Sequence, residues 1–528
     1  MTATAPVDLT AALPAVRTLT LADLEGVVDE LAAYHAHFAP LFRRREQQAW
    51  AALYLRGLLT ADVPRKNVEA IALRLLGAGP AADSRVRTLQ QFLSASGWDD
   101  TAILAAHQQL VVETLGEADG VLIIDGSEVP KQGTHSVGVA RQWCGHTGKK
   151  DNCQAGVYLG YASRRGYTLL DRRLYLPEAW FSADYRERWR ACGIPRGTVF
   201  QTKHELAGAL VEEAVGARRV RARWVVADEG YGDSPALLDR WAATDLWYLA
   251  EVARDTQVWF LTEPDGQTPR ARPVCWVPPQ RPSRKGRVPT RERLHPASPA
   301  KQRVDGWAAQ VPAARWQRYR LLEGSKGPLV AEFVAVRVVA VRDRLPGPEG
   351  WLLVRRTLPE AGEEPAYKYY LSNAPAETPL GELVRISGMR WPIAACFAEC
   401  RQELGLDHYE VRSWRGWHHH LTLVLLAHHF LVRRQRRLDP REGGLSAGAR
   451  AAAPDRAATG AAGAAFATGS RRAERDRSPG AAARAAPPAR LRPGGGLSLA
   501  RLPATAQTGC LPLPPPPAPT TAGRHQLT

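Results

Sequence analysis

The sequence predicts an α/β protein with a helical N-terminal region, a β-rich insertion and a disordered C-terminal tail. Three observations carry that reading. Residues 1–115 place apolar side chains at helical spacing. From residue 119, short β-branched runs ending in an acid, DGVLIIDG and RARWVVADEG, alternate with a helical stretch. After Arg437 the composition collapses into Ala, Gly, Pro and Arg.

In the N-terminal region, expected to be a domain over 1–115, Leu41, Trp50, Leu53, Leu55, Leu58 and Leu59 lie near helical spacing. Asp62-Val63-Pro64 breaks the pattern, and a second helix runs through Ile71, Leu73 and Leu76. Arg43, Arg44 and Arg45 cluster at the head of the first helix, and Arg65 and Lys66 open the second. Two readings stand side by side: a small bundle with solvated charges, and a DNA-binding module.

The second domain is expected over 116–434. The segment AGVYLGYASRRGYTLLDRRLYLP gives two strands joined by a turn at Arg164–Gly166, and a helix is expected near 204–215. Residues 252–380 read as a β-rich insertion, with strands at 328–341, 351–356 and 367–372. Pro273–Arg303, rich in Pro and Arg, reads as an exposed loop. Helical periodicity returns at 379–434. The tail, 435–528, has no pattern able to bury a core, so disorder is expected there.

The 528 residues are 45% hydrophobic and 23% charged, which excludes a wholly disordered chain, a collagen or a coiled-coil rod. No apolar run reaches ~18 residues, so no membrane span is expected. The first residues lack a basic segment followed by an apolar one, and seven sparse cysteines suit a reduced cytoplasm. The net charge of +17 points to a polyanionic partner, chiefly nucleic acid. About half of it sits late: from Arg436 onward there are 14 Arg against 5 Asp and Glu.

Asp125 and Asp228 carry the chemistry. Each interrupts or ends an apolar strand, where a carboxylate is costly unless it is paired or binds a cation. Two acids at neighbouring strand ends suit hard divalent ions, which clamp the attacking and leaving oxygens of a phosphoryl displacement. Glu128 and Glu229 fall on other faces by strand alternation and read as supporting or surface residues.

The block IIDGSEVPKQGTHSVGVARQWCGHTGKKDNCQAGV (123–157), then VVADEGYG, then GMRWPIAACFAECRQELGLDHYEVRSWRGWHHHLTLVLLAHHFL resemble bacterial insertion-sequence transposases of the DDE type. More closely, they look like the DDE superfamily endonucleases, over roughly residues 20–434. The resemblance implies an RNase H-like core in which two Asp and one Glu hold two Mg²⁺ (or Mn²⁺) ions. It implies cleavage and strand transfer of double-stranded DNA at terminal inverted repeats, by a homodimer on DNA, in the bacterial cytoplasm at the nucleoid.

Residue by residue, the first acid is Asp125 and the second Asp228. Related transposases carry on one helix an Arg, three residues, a Glu, six residues and a Lys or Arg. Arg390 and Arg401 match the outer positions, but Ala394 occupies the Glu position. At ~100° per residue, Glu399 lies about 140° from position 394 and Arg401 about 20°. Two expectations follow: an active transposase completed by another acid, or a catalytically dead DNA-binding protein derived from one. The tail has the composition that a shifted reading frame in GC-rich DNA yields, which suits a decayed copy.

Lys131, His135 and Arg141 follow the first Asp in a polar, Gly-containing stretch read as a loop, with Lys131 and Arg141 as DNA-binding candidates. The basic loop Arg281–Arg303 is a further phosphate-gripping candidate. Cys396 and Cys400 lack the spacing of a zinc site, and Trp391, Trp414 and Trp417 read as core.

Overall fold

A strand whose consecutive residues are all apolar must be covered on both faces, and the strand bearing Asp125 opens with such a run, Val121–Ile124. In the computed structural model, Val121 and Ile123 join one hydrophobic core and Leu122 and Ile124 a second, on opposite sides of one sheet. The structure describes residues 6–10, 26–217, 219–277, 291–322, 328–358 and 364–437. The tail from residue 438 and part of the Pro- and Arg-rich loop, residues 278–290, lie outside the described residues.

Along the chain, a short strand β1 (Val7–Asp8) precedes five helices, α1 (Val27–Ala36), α2 (Arg45–Leu59), α3 (Val68–Leu76), α4 (Ala82–Ser94) and α5 (Asp100–Leu115). The break between α2 and α3 falls at the expected Asp62–Pro64. Asp99 caps α5 by accepting from the amides of Thr101 and Ala102. Then come β2 (Val121–Pro130), β3 (Ala140–Cys144), β4 (Lys149–Ser163) and β5 (Gly166–Tyr175). Helix α6 (Arg186–Cys192) leads to α7 (Lys203–Gly216), which opens on a capping box between Thr202 and Glu205.

Strand β6 (Trp224–Ala227) is followed by α8 (Glu229–Gly232), α9 (Pro235–Ala242) and β7 (Trp247–Val252). The insertion supplies β8 (Gln257–Phe260), β9 (Cys275–Trp276), β10 (Arg293–Leu294), β11 (Gln302–Arg303), α10 (Val304–Ala308), β12 (Gln317–Leu322), β13 (Pro328–Arg342), β14 (Leu345–Thr357) and β15 (Tyr367–Ser372). Three helices end the described chain, α11 (Leu380–Ser387), α12 (Trp391–Leu404) and α13 (Trp414–Arg437).

Thirteen of these strands form one mixed sheet, in which β7, β6, β2 and β4 are successive neighbours and β5 lies beyond β4. β2 runs parallel to β6, and β6 to β7, while β2, β4 and β5 form an antiparallel meander. The insertion extends the same sheet through β15, which pairs with β7. One face is covered by α11, α12, α13 and the N-terminal helices, the other by α7, α9 and α10.

Helix α13 bonds the N-terminal helices to the sheet. Its middle stretch, Leu421–Ala427, is apolar but for Thr422, and five histidines flank that stretch, all buried. Tyr34 and Tyr54 hydrogen-bond His429 and His420 at 3.1 and 2.9 Å. The rings of Trp98 and His419 stack at 3.5 Å, and the two ring nitrogens of His419 lie 2.8 and 3.2 Å from the carbonyls of Leu93 and Trp98, one of which a neutral ring can donate to. Thr168 on β5 hydrogen-bonds His428. The described residues belong to one compact unit.

Candidate active site

The register of the parallel strands sets the site. Ile124 on β2 is level with Ala227 on β6, and Ala227 with Ala250 on β7. The next residues, Asp125, Asp228 and Glu251, therefore form a row at the C-terminal ends of three adjacent strands. Ile124, Ala227 and Ala250 face the core under α7 and α9. By alternation the three acids face the other side, toward α12. Ends of parallel strands are the usual place for ligands in such sheets.

Like charges in one row raise each other's proton affinity. Burial, and then the charge of Asp228, push the Asp125 carboxyl up to about 7, against the opposing pull of Arg390 and the Gly126 amide. The Gly126 N–H donates to Asp125 Oδ1 at 2.7 Å. Asp228 is also raised, chiefly by burial, with Arg390 opposing. Arg390 stands at the mouth of α12 and interacts with all three acids, its Nε 3.8 Å from Glu251 Oε2. Lys368 on β15 grips both oxygens of Glu251, at 2.8 and 3.0 Å.

Two polar atoms beside this row have no hydrogen-bond partner among the described residues: Asp228 Oδ1 and the hydroxyl of Tyr231. Tyr231 is buried on α8, and its phenol, already raised by burial, is raised further by Asp125 and Asp228. An all-oxygen set with a bare, buried carboxylate oxygen fits a hard divalent cation. Among the described residues no three acid, imidazole or thiol groups converge tightly enough to form a closed metal cage.

Helix α12 lies over the end of β2. Ala394 and Ala398 are exposed on the α12 face that also carries Arg401. The Arg401 guanidinium donates to Ser127 Oγ at 2.6 Å, on the same face of β2 as Asp125. Arg390 and Arg401 thus flank the acid pair, with Ala394 between them on the helix. Glu399 points elsewhere: Tyr167 donates to its Oε1 at 2.6 Å, and His428 bonds its Oε2 at 2.8 Å. Cys396 and Cys400 are buried in the core, and the histidines of α13 have partners of their own.

The remaining basic candidates divide. Lys131 turns inward, its ammonium 3.7 Å from the centre of the Tyr409 ring and donating to the Tyr409 carbonyl at 3.2 Å. Lys66 is buried and donates to the carbonyls of Leu58 and Thr60. Arg43, Arg44 and Arg45 are exposed. Arg141 lies on strand β3 rather than in a loop, with its side chain in solvent. Reading 131–141 as a loop missed this strand because its sequence, ARQWC, carries no apolar alternation.

The sequence model of the DDE superfamily endonucleases matches residues 37–328, more than half of the chain. The chain belongs to the DDE superfamily endonucleases. It is also 29% identical over 208 residues to the "Probable transposase for insertion sequence element IS701" of Microchaete diplosiphon. That alignment covers 39% of this chain and 48% of the relative, so the chain spans about half of the relative it matches.

Sequence reasoning on this DDE superfamily member missed Glu251 and Tyr231. The signal for Glu251 was an acid inside the apolar run WYLAEV, the pattern that singled out Asp125. Its place beside Asp228 depends on strand register, which a single sequence does not state.

Proposed function

We propose that this chain is a DNA transposase of an insertion sequence, with an RNase H-like core and a phosphoryl-transfer site built on Asp125 and Asp228. The observation that carries the proposal is the row of acids at the ends of adjacent parallel strands, flanked by Arg390 and Arg401. The strand sequence β5-β4-β2-β6-β7, three antiparallel and then two parallel to β2, supports the RNase H-like reading.

Asp125 and Asp228 would hold two Mg²⁺ or Mn²⁺ ions, and the Asp228 Oδ1, without a hydrogen-bond partner among the described residues, is available as a ligand. Bound there, the ions would activate the attacking oxygen and stabilise the leaving one. Arg390 and Arg401 hold the phosphates of the DNA beside the acids, as cations positioned by the helix rather than by a loop. Glu251 fixes Arg390 and Lys368 next to Asp228. The substrates are the terminal repeats of the element, bound by two copies of the chain.

A second reading is carried by Ala394. Its methyl group stands on the α12 face with Arg401, where the family pattern has a Glu. A DNA-binding protein without cleavage keeps every other feature of the site.

Binding of Mn²⁺ tests the site apart from catalysis. The wild-type chain is expected to bind the ion, and Asp125→Asn and Asp228→Asn are each expected to lose it. Equal Mn²⁺ affinity in all three would overturn the assignment of the acid pair.

A further inference from the structure

Beyond the acid row, the sheet carries a projecting hairpin that the proposed chemistry does not use. Strands β3 and β4 pair from Ala140–Cys153 to Cys144–Lys149 and close through Gly145–Gly148. On it Trp143 is 58% exposed, an unusual place for the largest apolar side chain. Arg141 and Lys150 are exposed on the same hairpin, with Lys149 on its other face and His146 in its turn. An exposed indole that shares a face with two cations, Arg141 and Lys150, matches a nucleic-acid strand, which offers phosphates and aromatic base faces together.

The register decides which way the patch looks. Arg141 is opposite Asn152, and Trp143 opposite Lys150. On β4, residues 150 and 152 share the face of Tyr158, which is opposite Asp125. Arg141, Trp143 and Lys150 therefore lie on the side of the sheet that carries Asp125 and α12. From Tyr158 to Lys150 is eight residues, or about 26 Å of strand, on the order of eight base-pair steps.

The hairpin is also braced, so its side chains are presented without much ordering cost. Gln142 donates to the Cys153 carbonyl at 3.0 Å, and Asn152 to those of Lys131 and Gly133 at 2.5 and 3.0 Å. Glu128 accepts from the Gly145 amide at 3.3 Å and from Lys203 on α7 at 3.2 Å. Gly148 closes the turn at φ 65°.

We infer that the β3–β4 hairpin is a DNA-gripping finger, in which Arg141 and Lys150 hold phosphates and Trp143 stacks on a base of the strand leading to the acid row. This rests on the reading of the chain as a DNA-acting protein.

The test uses the full chain and a DNA duplex carrying a single-stranded extension, with affinity measured across a salt titration. Trp143→Ala is expected to weaken binding roughly tenfold at one salt concentration and leave the salt slope unchanged. Trp143→Phe should recover most of the loss. The Arg141→Ala, Lys150→Ala pair should lower the slope by about two.

Wild-type affinity and slope in all three variants would overturn the finger while leaving DNA binding in place. A Trp143→Ala chain that binds DNA normally but changes its oligomeric state would overturn it too, and would assign the patch to a second copy. Absence of DNA binding by the wild-type chain would overturn the DNA reading itself.

Discussion

Asp125 stands in a position that favours chemistry over stability. Its carboxyl is raised to about 7, because burial and Asp228 both oppose its charge. Removing the charge should therefore relieve the fold. Asp125→Asn is expected to lose divalent-ion binding yet unfold at the same or higher urea concentration, gaining up to about 1 kcal/mol. Arg390 is the opposite case, a cation facing three acids. It is partly exposed, so Arg390→Ala is expected to cost only about 1–2 kcal/mol, below the cost of breaking a fully buried pair. Urea unfolding of the two variants against wild type checks both. A stability loss in Asp125→Asn would mean that the acid is structurally satisfied and the row is not a site.

At the scale of elements, α13 is the joint between the N-terminal helices and the sheet, and its histidines make that joint sensitive to acid. Burial lowers His418 and His420 to about 3 and His419 to about 4, and it holds His429 well below its ordinary value. His107 on α5 is lowered to about 4 in the same way. Each folded value lies below the ordinary 6.5, so these rings bind protons only on unfolding. Their contribution is complete above about pH 6.5 and is lost as the pH falls toward 4, at up to ~1.4 kcal/mol per pH unit for each ring.

Asp125 and Asp228, raised instead of lowered, oppose this, but they are two acids against five rings. The urea midpoint is expected to drop steeply from pH 7 to pH 5. A flat profile would mean that these rings are hydrated or already charged.

Much of this element-level arrangement was legible in the sequence. The breaks around α2 and α3, the hairpin at Arg164, helix α7 and the long strands β13 and β14 follow from period and turn chemistry that act locally. What escaped were facts of register and packing. Glu251 joins the acids only because β7 pairs beside β6. Lys131 looked like a free cation, yet Tyr409, 278 residues away, takes it up. The α13 histidines are satisfied by partners on α2, α4 and β5, elements distant in sequence whose packing against α13 a single sequence does not state.

On the scale of the whole molecule, charge is distributed unevenly, and the tail after Arg436 carries a large share of the excess. Shortening the chain to end at Arg437 is expected to weaken non-specific DNA binding at low salt and reduce the salt slope, since fewer phosphates would be neutralised. Binding that depends on the finger and on Arg390 and Arg401 should persist in the shortened chain at the same relative strength. Comparison of salt titrations for the two lengths separates the contributions. Loss of all binding on shortening would place the DNA contacts in the tail rather than on the sheet.

Asp125 and Asp228 are proposed as a metal-dependent phosphoryl-transfer site whose expected third acid is missing at Ala394. The most direct measurement is Mg²⁺-dependent cleavage of DNA bearing the ends of the element, by wild type, Ala394→Glu, and Ala394→Glu with Asp125→Asn. Cleavage by Ala394→Glu is expected well above wild type, abolished when Asp125 is also changed. Cleavage that survives Asp125→Asn, or none in Ala394→Glu despite tight DNA binding, would contradict that assignment.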